Sequence, residues 1–170
     1  MRVFLIGYMS SGKSKAGEQL AGLLQLKHFD TDEAVVLKAG KGIPFIFAEE
    51  GEEYFRKLES EVLDDLLKKK NIVVSTGGGL PCYGDNMEKM NAGGITVYLE
   101  ANSGLLFHRL LRGREGRPLL EGLTDVELME KINAHLAVRI PFYSQAQLVI
   151  PAANFQAKDA AARIKKLQLK

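Results

Sequence analysis

The chain has 170 residues, 46% of them hydrophobic and 26% charged, with 23 Lys and Arg against 21 Asp and Glu and a formal net charge of +2. That length suits one domain of roughly 100–200 residues, and the apolar content excludes a disordered chain. The near balance of charge excludes a non-specific nucleic-acid binder, because counterion release needs a clear basic surplus, so any cationic site is local. The one cysteine, Cys82, has no intramolecular partner and points to a reducing compartment. The apolar run Val3–Ile6 is too short for a signal peptide, and no window approaches the roughly 18 apolar residues of a membrane span. A cytoplasmic monomer with no nucleic-acid or membrane partner is the expectation.

In chain order, Val3–Ile6, ended by Gly7, reads as a buried strand, and Lys13–Leu26 as a helix with Leu20, Leu23 and Leu24 on one face. His28–Asp30 is a second short strand, Thr31–Ala39 a helix stopping at Gly40, and Pro44–Glu49 a further helical turn or two. Glu52–Lys70 is the clearest early helix, since Phe55, Leu58, Val62 and Leu66 recur at spacings of three and four. The Lys68–Lys70 run suits the negative end of that helix's dipole. Asn71–Thr76 is a strand running into Gly77-Gly78-Gly79; Tyr83–Asn91 is a helix closed by Gly93-Gly94, and Ile95–Leu99 a strand. Ser103–Leu111 is a helix with Ser103 as N-cap. Arg112–Gly122, rich in Gly, Pro and Arg, is a loop. Asp125–Tyr143 is a helix with a stripe of Val126, Met129, Ile132, Leu136 and Ile140; Leu148–Ile150 is a last strand and Gln156–Leu169 a closing helix.

Short strands alternating with helices imply a parallel sheet covered on both faces. Right-handed crossovers make it a doubly wound, three-layer α/β domain of about five strands. Ligands in such sheets bind beyond the carboxyl ends of the strands, which directs attention to 7–14, 30–32, 77–79 and the segments after Glu100.

Gly7-Tyr8-Met9-Ser10-Ser11-Gly12-Lys13-Ser14 fits G-x-x-x-x-G-K-[ST] and sits between a strand and a helix, the setting that this phosphate-binding loop requires. Its glycines let successive N–H groups face phosphate oxygens, and the helix adds its positive end. In this motif Lys13 reaches the β/γ-phosphates and the Ser14 hydroxyl ligates Mg²⁺. Asp30-Thr31-Asp32 lies on the same side. Two carboxylates there can divide the work, Asp30 towards Mg²⁺ water and Asp32 towards a substrate hydroxyl, while the bland reading is that Asp30 or Thr31 caps the next helix. Gly77–Gly79 offers bare N–H groups and close approach to a ligand, or merely a tight turn, and Thr76 beside it is placed to touch metal water or the γ-phosphate. Arg56, Arg139 and the loop arginines Arg112, Arg114 and Arg117 carry the fork that binds carboxylate or phosphate. Each has a plain alternative as a solvated or ion-paired surface residue. His28, His108 and His135 lack metal-ligand spacing and Cys82 lacks an activating base, so all four read as bystanders. Phe45, Phe47 and Phe55 read as core.

Taken together, Gly7–Ser14, Asp30-Thr31-Asp32, Gly51-Glu52-Glu53-Tyr54-Phe55-Arg56, Ser75-Thr76-Gly77-Gly78-Gly79 and Arg117-Pro118-Leu119-Leu120, with Arg139-Ile140-Pro141-Phe142-Tyr143 behind them, resemble the shikimate kinase family over nearly the whole chain. The resemblance implies a single P-loop kinase domain over 1–170, with a lid at about 112–122 and an acceptor-binding helical segment at about 31–60. The family transfers the γ-phosphoryl of ATP to the 3-hydroxyl of shikimate, with one Mg²⁺, in aromatic amino-acid biosynthesis. Carried over, Asp32 orients the acceptor hydroxyls, Arg56 and Arg139 clamp its carboxylate, and Gly77, Gly78 and Gly79 line the acceptor, with Phe47 and Phe55 as apolar walls. Lys13 and the lid residue Arg117 act on the transferring phosphoryl. Nucleotide contacts fall on Ser10, Ser11, Gly12, Lys13, Ser14, Lys15, Arg117 and Asn154, metal contacts on Ser14 and, through water, Asp30. Arg109 or Arg112 stacks on the adenine. Two departures stand out: Lys15 follows Ser14 where the family usually has Thr or Ser, and Pro151-Ala152-Ala153-Asn154 replaces a more polar adenine loop. The competing readings are a related small-molecule kinase, such as a gluconate kinase, and a nucleotide-binding module without catalysis.

Overall fold

The computed structural model describes residues 1–112 and 123–169. One sheet of five parallel strands has the order β2-β3-β1-β4-β5. The strands are β1 (Arg2–Ile6), β2 (Lys27–Asp30), β3 (Ile72–Ser75), β4 (Ile95–Glu100) and β5 (Leu148–Pro151). The helices are α1 (Lys13–Leu24), α2 (Thr31–Ala39), α3 (Ile43–Glu49), α4 (Gly51–Leu67), α5 (Asn86–Gly93), α6 (Ser103–Arg112), α7 (Asp125–Tyr143) and α8 (Ala157–Gln168), with a 3₁₀ turn at Leu80–Cys82. Among the described residues no helix is long and apolar enough to cross a membrane.

The alternation of side chains along a strand splits the core into two. Val3, Leu5, Val73, Val97, Leu99 and Ile150 meet α1, α6, α7 and α8 on one face. Phe4, Ile6, Ile72, Val74 and Tyr98 meet α2 to α5 on the other. With both faces covered, β1, β3 and β4 read as continuous apolar runs. The central strand β1, with β3 on one side and β4 on the other, carries its following loop into the crevice where strand order reverses, the place that such sheets use for ligands.

Several local expectations shift. The first helix stops at Leu24, where Gln25 turns left-handed at φ 56°, and Leu23 is exposed while Leu20 is buried. In α6 the cap is Asn102, whose Oδ1 accepts from Leu105 N at 2.8 Å, one residue before Ser103; an amide oxygen there serves as well as a hydroxyl. The helix expected over 83–91 starts at Asn86 and runs to Gly93, because Gly84 turns the chain at φ 54° just before it. Helix α4 ends at Leu67, so the Lys68–Lys70 run lies past its last turn. In α7 the buried stripe is Leu128, Ile132, Leu136 and Tyr143, while Val126 and Ile140 face solvent. That helix starts on a full capping box, Thr124 and Glu127 bonding each other's backbone, which sets its rotation. Phe45, expected in the core, is exposed.

Leu63 of α4 is fully buried. Leu63→Ala should therefore cost ~2–5 kcal/mol from lost transfer energy and the cavity left behind, read as a lower urea midpoint at unchanged slope.

Candidate active site

The β1–α1 loop is wound around Lys13. Its ammonium is buried and donates to the carbonyls of Gly7 at 2.9 Å and Tyr8 at 2.7 Å. Burial pushes its pKa down to about 8, with Asp32 and Asp30 pulling the other way. Gly12, which precedes α1, has φ 103°, outside the reach of an ordinary side chain. Ser10 also lies at positive φ, 61°, a conformation that costs a non-glycine residue about 1–3 kcal/mol. The Ser11 hydroxyl is buried without a partner among the described residues.

Ser14 Oγ donates to Asp30 Oδ2 at 2.8 Å. The other carboxylate oxygen of Asp30 accepts from Asp32 N at 3.0 Å and caps α2. One oxygen of Asp30 therefore caps the helix, as the bland reading has it, and the other stands beside the phosphate loop. A hydroxyl and a carboxylate side by side are hard oxygen donors suited to Mg²⁺ held mainly by phosphates and water. Asp32 opens into a cavity of about 420 Å³ whose wall includes Lys13, Ser14, Lys15, Asp30, Gly77 and Gly78. Surrounding protein desolvates its carboxyl and raises its pKa; Asp30 adds to the rise, and Lys13 and Arg56 oppose it.

The glycine turn after β3 closes this cavity. Gly77 N is taken by Thr31 Oγ1 at 2.7 Å, so this amide is structural, while the N–H groups of Gly78 and Gly79 have no partner among the described residues. A Cβ on Gly79 would stand 2.5 Å from Arg56 Nη1, so only glycine lets that guanidinium lie against the turn. Arg56 is held from two sides, by Glu52 Oε1 at 2.9 Å and Glu59 Oε2 at 2.5 Å. Arg139 comes in from α7; its Nη1 is 3.2 Å from where a Cβ would stand on Gly78. Both arginines line a second cavity of about 440 Å³ on the other side of the turn, with Gly79 and Cys82. Phe47 and Phe55 stack beside Arg56 at 4.8 Å between ring centres, and Phe55 is almost wholly buried.

A third cavity, about 410 Å³, opens behind the phosphate loop between Ser10–Gly12, Lys15, Arg109, Ala152, Ala153 and Phe155. Of the two arginines left open by the sequence, Arg109 reaches it: Nη1 donates to Ser11 O at 2.7 Å and Nη2 to Ala152 O at 3.2 Å, while Arg112 is exposed. Asn154 is exposed and stays off the cavity wall, where Ala152, Ala153 and Phe155 stand instead. Thr76 lines the cavity beside the phosphate loop, and its hydroxyl donates to Leu5 O at 3.0 Å. Arg114 and Arg117 lie outside the described residues.

Glu59 is the residue that the sequence reading missed. It is 1% exposed, and its Oε1 has no partner among the described residues. That oxygen and Asp32 Oδ1 lie 2.5 and 2.8 Å from where a Cβ would stand on Gly77. The signal was available: Glu59 is three residues after Arg56, on the same helical face, and a carboxylate on the apolar side of α4 needs a partner.

A parallel sheet with this strand order, a phosphate loop wrapping a buried lysine and a Ser–Asp pair beside it define a P-loop nucleotide-dependent phosphotransferase. The model of the family described as "Shikimate kinase" matches residues 9–168, and the chain belongs to the shikimate kinase family. It is 46% identical to the shikimate kinase of Azobacteroides pseudotrichonymphae over 149 residues, 87% of this chain and 88% of that one. The crystal structure of the Bacteroides thetaiotaomicron shikimate kinase superposes with a TM-score of 0.91 at 38% identity, covering 100% of this chain and 99% of that one. The Acinetobacter baumannii shikimate kinase in complex with shikimate does so with 0.86 at 36%, covering 99% and 92%.

Burial pushes the Glu59 carboxyl up to about 7, against the pull of Arg56. A carboxyl raised on folding contributes its full stability below its unfolded value of about 4.3 and loses it as pH rises through the folded value. Wild-type protein should therefore lose thermal stability between about pH 4.3 and pH 7, and Glu59→Gln should flatten that slope. Parallel Tm–pH curves for the two proteins would show the carboxyl to be unperturbed.

Proposed function

We propose that this protein transfers the γ-phosphoryl group of ATP to the 3-hydroxyl of shikimate, giving shikimate 3-phosphate in aromatic amino-acid biosynthesis. The observation that carries the reading is the pair of guanidinium groups, Arg56 and Arg139, flanking a bare glycine turn, with Asp32 opposite the phosphate loop. A hydroxylated acceptor bearing a carboxylate fits that set: the Arg139 fork takes the carboxylate, Arg56, held by Glu52 and Glu59, adds its charge, and Asp32 takes a hydroxyl. The complex of the Acinetobacter baumannii relative with shikimate supports the choice.

The phosphoryl transfer has a loose transition state, so positioning and charge carry catalysis. Lys13 would leave the carbonyls of Gly7 and Tyr8 for the β/γ-phosphates, which are better partners for an ammonium in a desolvated site. Asp32 would orient the acceptor hydroxyl and receive its proton. Gly78 and Gly79 would offer their free N–H groups, and the orphan oxygen of Glu59 would accept from a second hydroxyl. Ser14 and, through water, Asp30 would hold Mg²⁺, which would supply charge to offset that of the phosphates. Ser10, Ser11, Gly12 and Lys15 would line the nucleotide, with Arg109 against its base. The segment 112–122 would act as a lid bringing Arg117 to the transferring group, excluding water as it closes. The reading extends to one monomeric domain working in the cytoplasm, with 31–60 on the acceptor side.

The test is ADP release from Mg·ATP with shikimate, gluconate, nucleoside monophosphates and no acceptor in parallel. Turnover with shikimate alone is the expected result; turnover only with gluconate, or with none of them, would overturn it. Removing a charged hydrogen-bonding partner costs about 1.5–3 kcal/mol. Arg56→Ala and Arg139→Ala should therefore lower kcat/KM for shikimate roughly 10–150-fold, chiefly through KM. Arg117→Ala should act chiefly on kcat.

A further inference from the structure

The two arginines at the glycine turn are held in different ways. Arg56 is gripped by two carboxylates. Arg139 has no carboxylate partner among the described residues; its guanidinium carbon lies 5.3 Å from the centre of the Tyr8 ring. Tyr8 belongs to the phosphate loop, yet its side chain turns away into the core and is 3% exposed. Its hydroxyl lies 3.0 Å from Nδ1 of His135, and the two rings are tilted at 6.0 Å between centres. His135 and Arg139 are one helical turn apart on α7, so they share a face. One turn further, Tyr143 donates to Gly78 O at 2.5 Å, and its hydroxyl also takes a hydrogen bond from Arg139. Burial, Arg139 and Lys131 lower the pKa of His135 against the pull of Glu52, which favours the neutral ring, one tautomer of which accepts from the phenol at Nδ1 and the other of which donates to it.

We propose that Tyr8 and His135 are positioning residues for acceptor binding: the Tyr8–His135 hydrogen bond sets the tilt of the Tyr8 ring, and that ring holds Arg139 over the glycine turn with no carboxylate on its N–H fork. The inference rests on the acceptor reading above. The chemistry favours an aromatic holder here. A carboxylate partner would occupy the fork and compete with an incoming substrate carboxylate, whereas a ring face attracts the cation and does not itself take the in-plane N–H groups. Holding the side chain in advance also removes rotamer entropy that binding would otherwise cost. Because Lys13 donates to the Tyr8 carbonyl, the ring that orients the acceptor clamp is built into the loop that receives the nucleotide.

The test is steady-state ADP release by the full chain, varying shikimate and ATP separately, with thermal midpoints for each variant. His135→Ala should raise the shikimate KM roughly 3–10-fold while leaving kcat and the ATP KM within about twofold. His135→Asn, whose Oδ1 can take the place of Nδ1, should restore the wild-type KM. Tyr8→Phe, which keeps the ring and removes the hydroxyl, should match His135→Ala, and the double variant should be no worse than either single one, because all three lack the same bond. Tyr8→Leu, which removes the ring, should raise the shikimate KM further. The inference is overturned if folded His135→Ala and Tyr8→Phe keep the wild-type shikimate KM, if ATP and shikimate KM rise together, or if the double variant is additive. Should His135→Ala fail to fold, the near-isosteric Tyr8→Phe and His135→Asn decide the matter by the same KM readout. Wild-type protein that turns over another acceptor and not shikimate overturns the acceptor reading itself.

Discussion

The ammonium of Lys13 is buried beneath its own loop and satisfied by two backbone carbonyls, those of Gly7 and Tyr8. An unpaired charge in that place would cost several kcal/mol, so the loop must wind tightly enough to bring both carbonyls to one point. The positive φ angles of Ser10 and Gly12 are what that winding requires. The loop in turn needs β1 at the centre of the sheet, where α1 can receive the chain with its N-terminus open. Ser75 at the end of β3 ties the arrangement from behind by donating to the Lys13 carbonyl.

A second convergence lies at the glycine turn, where three helices meet without a side chain from the turn itself. Thr31 of α2 takes the amide of Gly77, Tyr143 of α7 bonds the carbonyl of Gly78, and Arg56 of α4 lies against Gly79. Glu59 completes it from below. Charges of both signs are packed within a few ångströms, and mutual compensation keeps them tolerable: Asp32 between Lys13 and Arg56, Glu59 under Arg56. Burial still raises the pKa values of the two carboxyls and lowers that of the lysine. A site of this kind attracts a ligand that brings both anionic and hydroxyl groups.

Much of this was legible in the sequence for definite reasons. Strands fully buried on both faces read as unbroken apolar runs, so β1, β3 and β4 were found to within a residue or two. The phosphate loop was legible because its chemistry is local, glycines and a lysine within eight residues. Helix ends were less so. Asn102 outcompeted Ser103 as a cap, and the rotation of α7 was set by the Thr124–Glu127 box and by packing, which left Val126 and Ile140 exposed. Arg109 and Arg112 could not be separated in the sequence because one helical position decides which reaches Ser11. Glu59 passed unseen because its role depends on what lies above it.

The sequence by itself determined the layered α/β architecture, the phosphate loop and the pair of acidic residues after β2, because each follows from periodicity or from groups adjacent in the chain. Only the tertiary structure decided which distant side chains share a site. Arg56 and Arg139 stand 83 residues apart and meet at one turn because α4 and α7 both pack against the loop after β3. The hydrogen bond between Tyr8 and His135 spans 127 residues. Such contacts depend on the angle and rotation of whole helices, which many weak packing interactions set together and no local pattern encodes.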